Sequence, residues 1–147
     1  MTTQARTFTK KLLHLGKEAN SLPHDAYTLA LLAELNSRVI AGQVFVELGH
    51  PRLDKLALPT DKLRRTLEMD QDRIVAQMTV LDYRLETGEV FGHFRVHGPF
   101  GMVLEDALAV MEPEEIRFGM RTLRSSEGKL QRIVTWDLIN FDQGKRK

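Results

Sequence analysis

The sequence predicts an α+β fold, mainly β: an antiparallel barrel or strongly bent sheet of about seven strands, with two helices outside. Three observations predict it. Short segments of alternating or β-branched apolar residues recur along most of the chain, separated by clusters of Gly, Pro, Asn, Asp and Ser. Only two segments repeat their apolar residues at helical spacing. The connections are short, as they are between consecutive antiparallel strands.

The elements follow in order. Thr7 to Leu15 reads as a first strand, ended by Gly16. Asn20-Ser21-Leu22-Pro23 is a turn. Pro23 and Asp25 suit a helix's first turn, the one by its fixed φ and the other by its charge against the dipole. That helix continues through Ala26, Leu29, Ala30 and Ala33 towards Ser37. Val44 to Leu48 alternates as a strand, with Val44, Val46 and Leu48 on one face. Asp61 to Met69 alternates again, Asp70-Gln71-Asp72 turns, and Arg73 to Leu81 returns, so residues 61–81 are expected to form a hairpin. Thr87-Gly88 leads into a strand from Val90 to His97, broken by Gly98-Pro99. Met102 to Met111 carries a helical stripe of Leu104, Ala107, Leu108 and Met111, and Glu112-Pro113 stops it. Glu115 to Leu123 is a strand, Ser125 to Lys129 a turn, and Leu130 to Phe141 the last strand. Residues 1–142 make one expected domain, and residues 143–147 a polar tail.

Composition excludes several classes. Hydrophobic content of 42% with 28% charged residues is that of a soluble globular domain. A net charge of +1 supplies no basic field for nucleic acid. The absence of cysteine removes disulfides, thiolate zinc sites and a cysteine nucleophile. No apolar run reaches the length of a membrane span, and Met1 to Arg6 lacks a signal-peptide core, so a cytoplasmic protein without a membrane partner is expected.

Few residues carry chemistry by position. His50 stands between Gly49 and Pro51 at the end of the Val44–Leu48 strand. The residue before a proline is confined to extended geometry, which would hold an imidazole rigidly enough to act as a base. His93 and His97 share a strand face but stand about 13 Å apart at strand rise, too far for one metal ion. No metal site and no cofactor is expected. Glu105-Asp106 and Glu114-Glu115 read as solvated charge, as do Arg64-Arg65 and the lysine-rich tail. Ser125-Ser126-Glu127-Gly128 has the composition of a tight turn.

The block Glu47-Leu48-Gly49-His50-Pro51, with its flanks, resembles the head-maturation (prohead) proteases of tailed bacteriophages, whose histidine is the catalytic base. The resemblance extends along most of the chain. Residues Asn20 to Tyr27 resemble that family's Asn-x-Asn-Gly-Arg-x-Tyr-Pro lead into its first helix, and residues 61–81 its hairpin. Gly98-Pro99-Phe100-Gly101 is similar to its Thr-Pro-x-Gly, Ile116 to Thr122 to its nucleophile strand, and Trp136 to Asp142 to its closing Asp-Leu-Ile-x-Phe-Asp. The implied fold is the bent barrel with flanking helices shared with herpesvirus assemblins. One departure stands out. The family's nucleophile strand carries a Ser-Ser-Arg-Gly-like block, and aligning its arginine on Arg121 puts Gly119 and Met120 at the serine positions. Neither can attack a carbonyl. The segment from Tyr83 to His97 is also longer than its counterpart.

Two readings follow from the resemblance. In the first, the chain is a capsid-associated structural, decoration or head-assembly protein with a prohead-protease fold and no proteolysis. In the second, it is a serine-type maturation protease that cuts scaffold and capsid precursors, with His50 as base and Thr122, Ser125 or Ser126 as nucleophile. Both place it in the virion capsid, after assembly in the host cytoplasm. Its expected partner is the major capsid or scaffold protein, or a further copy of itself.

Overall fold

The computed structural model describes residues 6–17 and 22–140. The expected turn residues Asn20 and Ser21, the strand end Phe141–Asp142 and the tail 143–147 lie outside the described residues. In chain order the elements are β1 (Thr7–His14), α1 (Ala26–Ile40), β2 (Phe45–Glu47), α2 (Pro59–Leu67), β3 (Ile74–Tyr83), β4 (Glu89–Val96), α3 (Gly101–Val110), β5 (Phe118–Arg124) and β6 (Leu130–Leu138).

The fold is α+β and mainly β, but the expected seven-strand barrel is not formed. The described residues hold six strands in two antiparallel sheets, ordered β1-β4-β3-β2 and β5-β6, with three α-helices. The missing strand is α2. Alternation of Leu63, Arg65 and Leu67 suggested a strand, yet Leu63 and Leu67 are four apart, a spacing that shares a face in either geometry. Composition decides between them: Lys62, Leu63, Arg64, Arg65, Leu67 and Glu68 are straight-chain or γ-branched helix formers. Pro59 occupies the first turn, and Arg64 and Arg65 the last, where the dipole favours them. The expected 61–81 hairpin therefore gives way to a helix followed by β3, which pairs instead with β2 and β4.

The two sheets meet where β2 runs past β6. Leu48 bridges Leu138 in parallel, Gly49 N donates to the Leu138 carbonyl at 2.7 Å, and Thr135 Oγ1 donates to the Phe45 carbonyl at 2.6 Å. At the other extreme of the strand order, Phe118 of β5 packs edge-on against Phe8 of β1 (6.2 Å) and Phe94 of β4 (5.1 Å). The sheets thus curl around a core containing Trp136, Phe94, Met78, Leu32, Leu35, Leu104 and Ile133. Asp25 caps α1 by accepting from Thr28 N at 2.9 Å, so it stands one residue before the helix, and Pro23 before that.

Glu34 fastens α1 to β6. It accepts from Arg38 at 2.8 Å and Arg132 at 2.8 Å, and Arg38 also donates to the carbonyls of Ile133 and Val134. The Arg38 hydrogen bond, then that of Arg132, hold the Glu34 carboxyl down at about 2 against a partial opposition from burial. A carboxyl lowered by folding adds stability above its unfolded value, and that stability is lost as pH falls towards its folded value. Wild type is therefore expected to be more stable than Glu34→Gln by less than about 1 kcal/mol at pH 6, solvent screening included. The difference should close between about pH 5 and pH 2 in urea titrations. A gap that stays constant over that range would refute the assignment.

Candidate active site

The site is built from a loop and two strands. After Glu47 ends β2, Gly49 takes a left-handed φ of +79°, open to glycine at little cost, and swings the next residue towards β6. Leu48 is held on both sides of its peptide: its N–H donates to the Arg73 carbonyl at 2.9 Å, and its carbonyl accepts from the Arg73 guanidinium. With Gly49 tied to Leu138 and Pro51 following, His50 has little backbone freedom.

His50 Nδ1 lies 2.8 Å from Asp137 Oδ2. A carboxylate can only accept, so this bond assigns the proton of a neutral ring to Nδ1 and leaves the lone pair on Nε2. The His50 side chain is 37% exposed, whereas that of Asp137 is wholly buried. Arg121 compensates the buried charge through a two-pronged contact, Nε to Oδ2 at 3.0 Å and Nη2 to Oδ1 at 2.7 Å. Gly119 and Asp137 are cross-strand partners, which places Gly119 beside the imidazole. A β-carbon built on Gly119 would fall 2.7 Å from His50 Nε2, 3.0 Å from Cε1 and 3.2 Å from Ile139 Cγ2. The Nε2 edge of the ring faces a residue without a side chain.

A second carboxylate lies behind the first. Glu47, with no exposed surface, accepts from Arg65 Nη2 at 2.6 Å, Arg65 Nη1 at 3.2 Å and Asp70 N at 2.7 Å. Its Oε1 is also 3.4 Å from Arg121 Nη2. Hydrogen bonding to Glu47 raises the already high Arg65 pKa further. Two carboxylates and two guanidinium groups therefore balance within the interior. Arg65 also lines a cleft of about 360 Å³ beside α2, with Leu56, Asp61, Arg64, Glu68, Met69 and Asp70.

The other sequence candidates stand elsewhere. Thr122 lies three residues beyond Gly119 on β5, an odd separation that puts it on the opposite face, paired with Ile133. Ser125 and Ser126 follow the end of β5, about 20 Å from Gly119 at strand rise. The Ser125 hydroxyl accepts from Lys129 N at 3.1 Å and shapes the turn. His93 is bonded to Thr9 Oγ1 at 3.0 Å, and His97 stacks on Phe45. Among the described residues no group of three or more His, Asp or Glu side chains is placed to hold a metal ion. None of their helices is long and apolar enough to cross a membrane.

Asp137 and Glu47 had no functional reading from sequence, and Arg65, expected as solvated charge, instead holds the buried Glu47. A signal existed for Asp137 and Glu47, carboxylates within the apolar runs Ile133 to Ile139 and Val44 to Leu48, where charge is rarely buried without a partner.

The histidine–aspartate pair thus stands at the junction of the two sheets, on the segments whose sequence resembles the prohead proteases. The comparison with known families agrees: the model of the Peptidase S80 family matches residues 27–144. The chain belongs to that family, which is consistent with the phage prohead proteases. No curated protein and no solved structure matches it.

Proposed function

We propose that this protein is a phage head-assembly component that keeps the prohead-protease fold without cleaving, and that it binds the major capsid or scaffold protein during assembly in the host cytoplasm. One observation carries the reading. The Nε2 of His50, which should receive the nucleophile's proton, faces Gly119, where a β-carbon would lie 2.7 Å away and could enter only with a shift of the ring. A base needs its hydroxyl within roughly 2.6–3.2 Å, and Gly119 offers none. What remains suits binding: an ordered junction between the two sheets and a cleft beside α2.

The active-protease reading has its own support in the His50–Asp137 bond, the arrangement an acyl-transfer base requires. It would need Thr122, Ser125 or Ser126 to reach His50. Co-expression with the scaffold and capsid precursors of the same phage separates the two readings. Intact precursors, with the chain co-sedimenting with assembling heads whether or not it carries His50→Ala, are expected. Precursor cleavage that disappears in His50→Ala would reverse the conclusion.

A further inference from the structure

We infer that Glu47 and Arg65 are positioning residues for the His50 site, acting on Asp137 through Arg121, so that α2 is part of the site's support. The chain of contacts is continuous. Arg65 holds Glu47 at 2.6 Å, Glu47 lies 3.4 Å from Arg121 Nη2, that same nitrogen bonds Asp137 Oδ1 at 2.7 Å, and Asp137 Oδ2 holds His50 Nδ1 at 2.8 Å. Arg121 Nη1 also reaches the Thr66 carbonyl of α2 at 3.4 Å.

Stability alone does not account for this arrangement. A buried group of ion pairs is commonly no more stabilising than apolar side chains of the same volume. Its distinct property is orientation. Arg121 lies between two carboxylates and could be drawn to either. Arg65 and Asp70 N satisfy Glu47, which leaves the Arg121 fork to Asp137 and aims Oδ2 at the imidazole. Nothing in this depends on whether the chain cleaves: the same support serves a base or a rigid binding surface.

The inference is tested by following the His50 ring signals by NMR against pH at low salt, in folded full-length protein. The charged groups around the ring are Asp137 on β6, Arg121 on β5, Glu47 on β2, Arg65 on α2 and Arg73 beside Leu48. Glu47→Gln leaves an excess positive charge near the imidazole, so its titration midpoint should fall by about half a pH unit; Arg65→Met leaves an excess negative charge, so it should rise by about as much. The double variant restores the balance and should return the midpoint close to wild type. It still lacks the clamp, so its Nδ1 proton should exchange with water at least about tenfold faster than in wild type. A merely loosened site would shift both single variants in the same direction. Shifts of the same sign, or no shift, would overturn the inference. If a single variant does not fold, the double variant decides alone: unchanged Nδ1–H exchange would overturn the proposal.

Discussion

Arg121→Met is expected to lower the free energy of unfolding by about 3–5 kcal/mol, the effect of removing one partner from a buried charge pair. The Arg121 side chain is only 4% exposed, and both carboxylates it touches, Asp137 and Glu47, are fully buried. Its loss leaves Glu47 with Arg65, while Asp137 keeps a partly exposed imidazole. An isolated carboxylate in the interior must either be hydrated or take up a proton, and each course opposes folding. Arg121→Lys keeps the charge but loses the fork and should fall between the two. Equilibrium urea unfolding measures this directly. A loss below about 1 kcal/mol for Arg121→Met would mean that water already reaches these groups. Against a typical total of about 5–15 kcal/mol the expected loss is large, and the variant should unfold at a much lower urea concentration than wild type.

Gly119→Ser is expected to create a nucleophile beside His50. The new β-carbon would lie 2.7 Å from His50 Nε2, too close to be accommodated unchanged. The obstructing atom is the tip of a side chain, so a tilt of the ring by a few tenths of an ångström relieves the contact and brings the hydroxyl within hydrogen-bond reach. Wild type should remain unlabelled by a fluorophosphonate probe, while Gly119→Ser should be labelled at residue 119. Adding His50→Ala should slow that labelling by about 10²–10⁴-fold, the usual contribution of a positioned base. Labelling of wild type at Thr122, Ser125 or Ser126 would instead place the nucleophile there and establish the active-protease reading. Labelling of Gly119→Ser that is indifferent to His50 would show that the imidazole does not act on residue 119.

Much of the fold is written in short-range pattern. β1, β3, β4, β5, β6, α1 and α3 each lie close to the limits their periodicity sets, because face alternation and helical stripes repeat within a few residues. The exception, α2, shows where that reasoning stops: Leu63 and Leu67 fit both periods, and the geometry is settled by helix-forming composition, Pro59 and the bond from Arg65 to Glu47. A helix in that place leaves the described residues with six strands in two sheets instead of a barrel. The two sheets are joined instead by contacts distant in sequence, Leu48 with Leu138 between β2 and β6 and the ring pair Phe8–Phe118 between β1 and β5.

His50 was legible because its constraint is local, set by Gly49 before it and Pro51 after it. Its partner was not. Asp137 is 87 residues away, and the Arg121–Asp137 and Arg65–Glu47 pairs span 16 and 18 residues. Charge pairing acts through space in a medium of low dielectric and leaves no period in the chain. The sequence by itself determined most of the strands and two of the helices, and the confined backbone of His50 between Gly49 and Pro51. Only the tertiary structure, by closing β2 onto β6 and α2 onto β5, decided which buried charges meet and that the histidine's free nitrogen rests against Gly119.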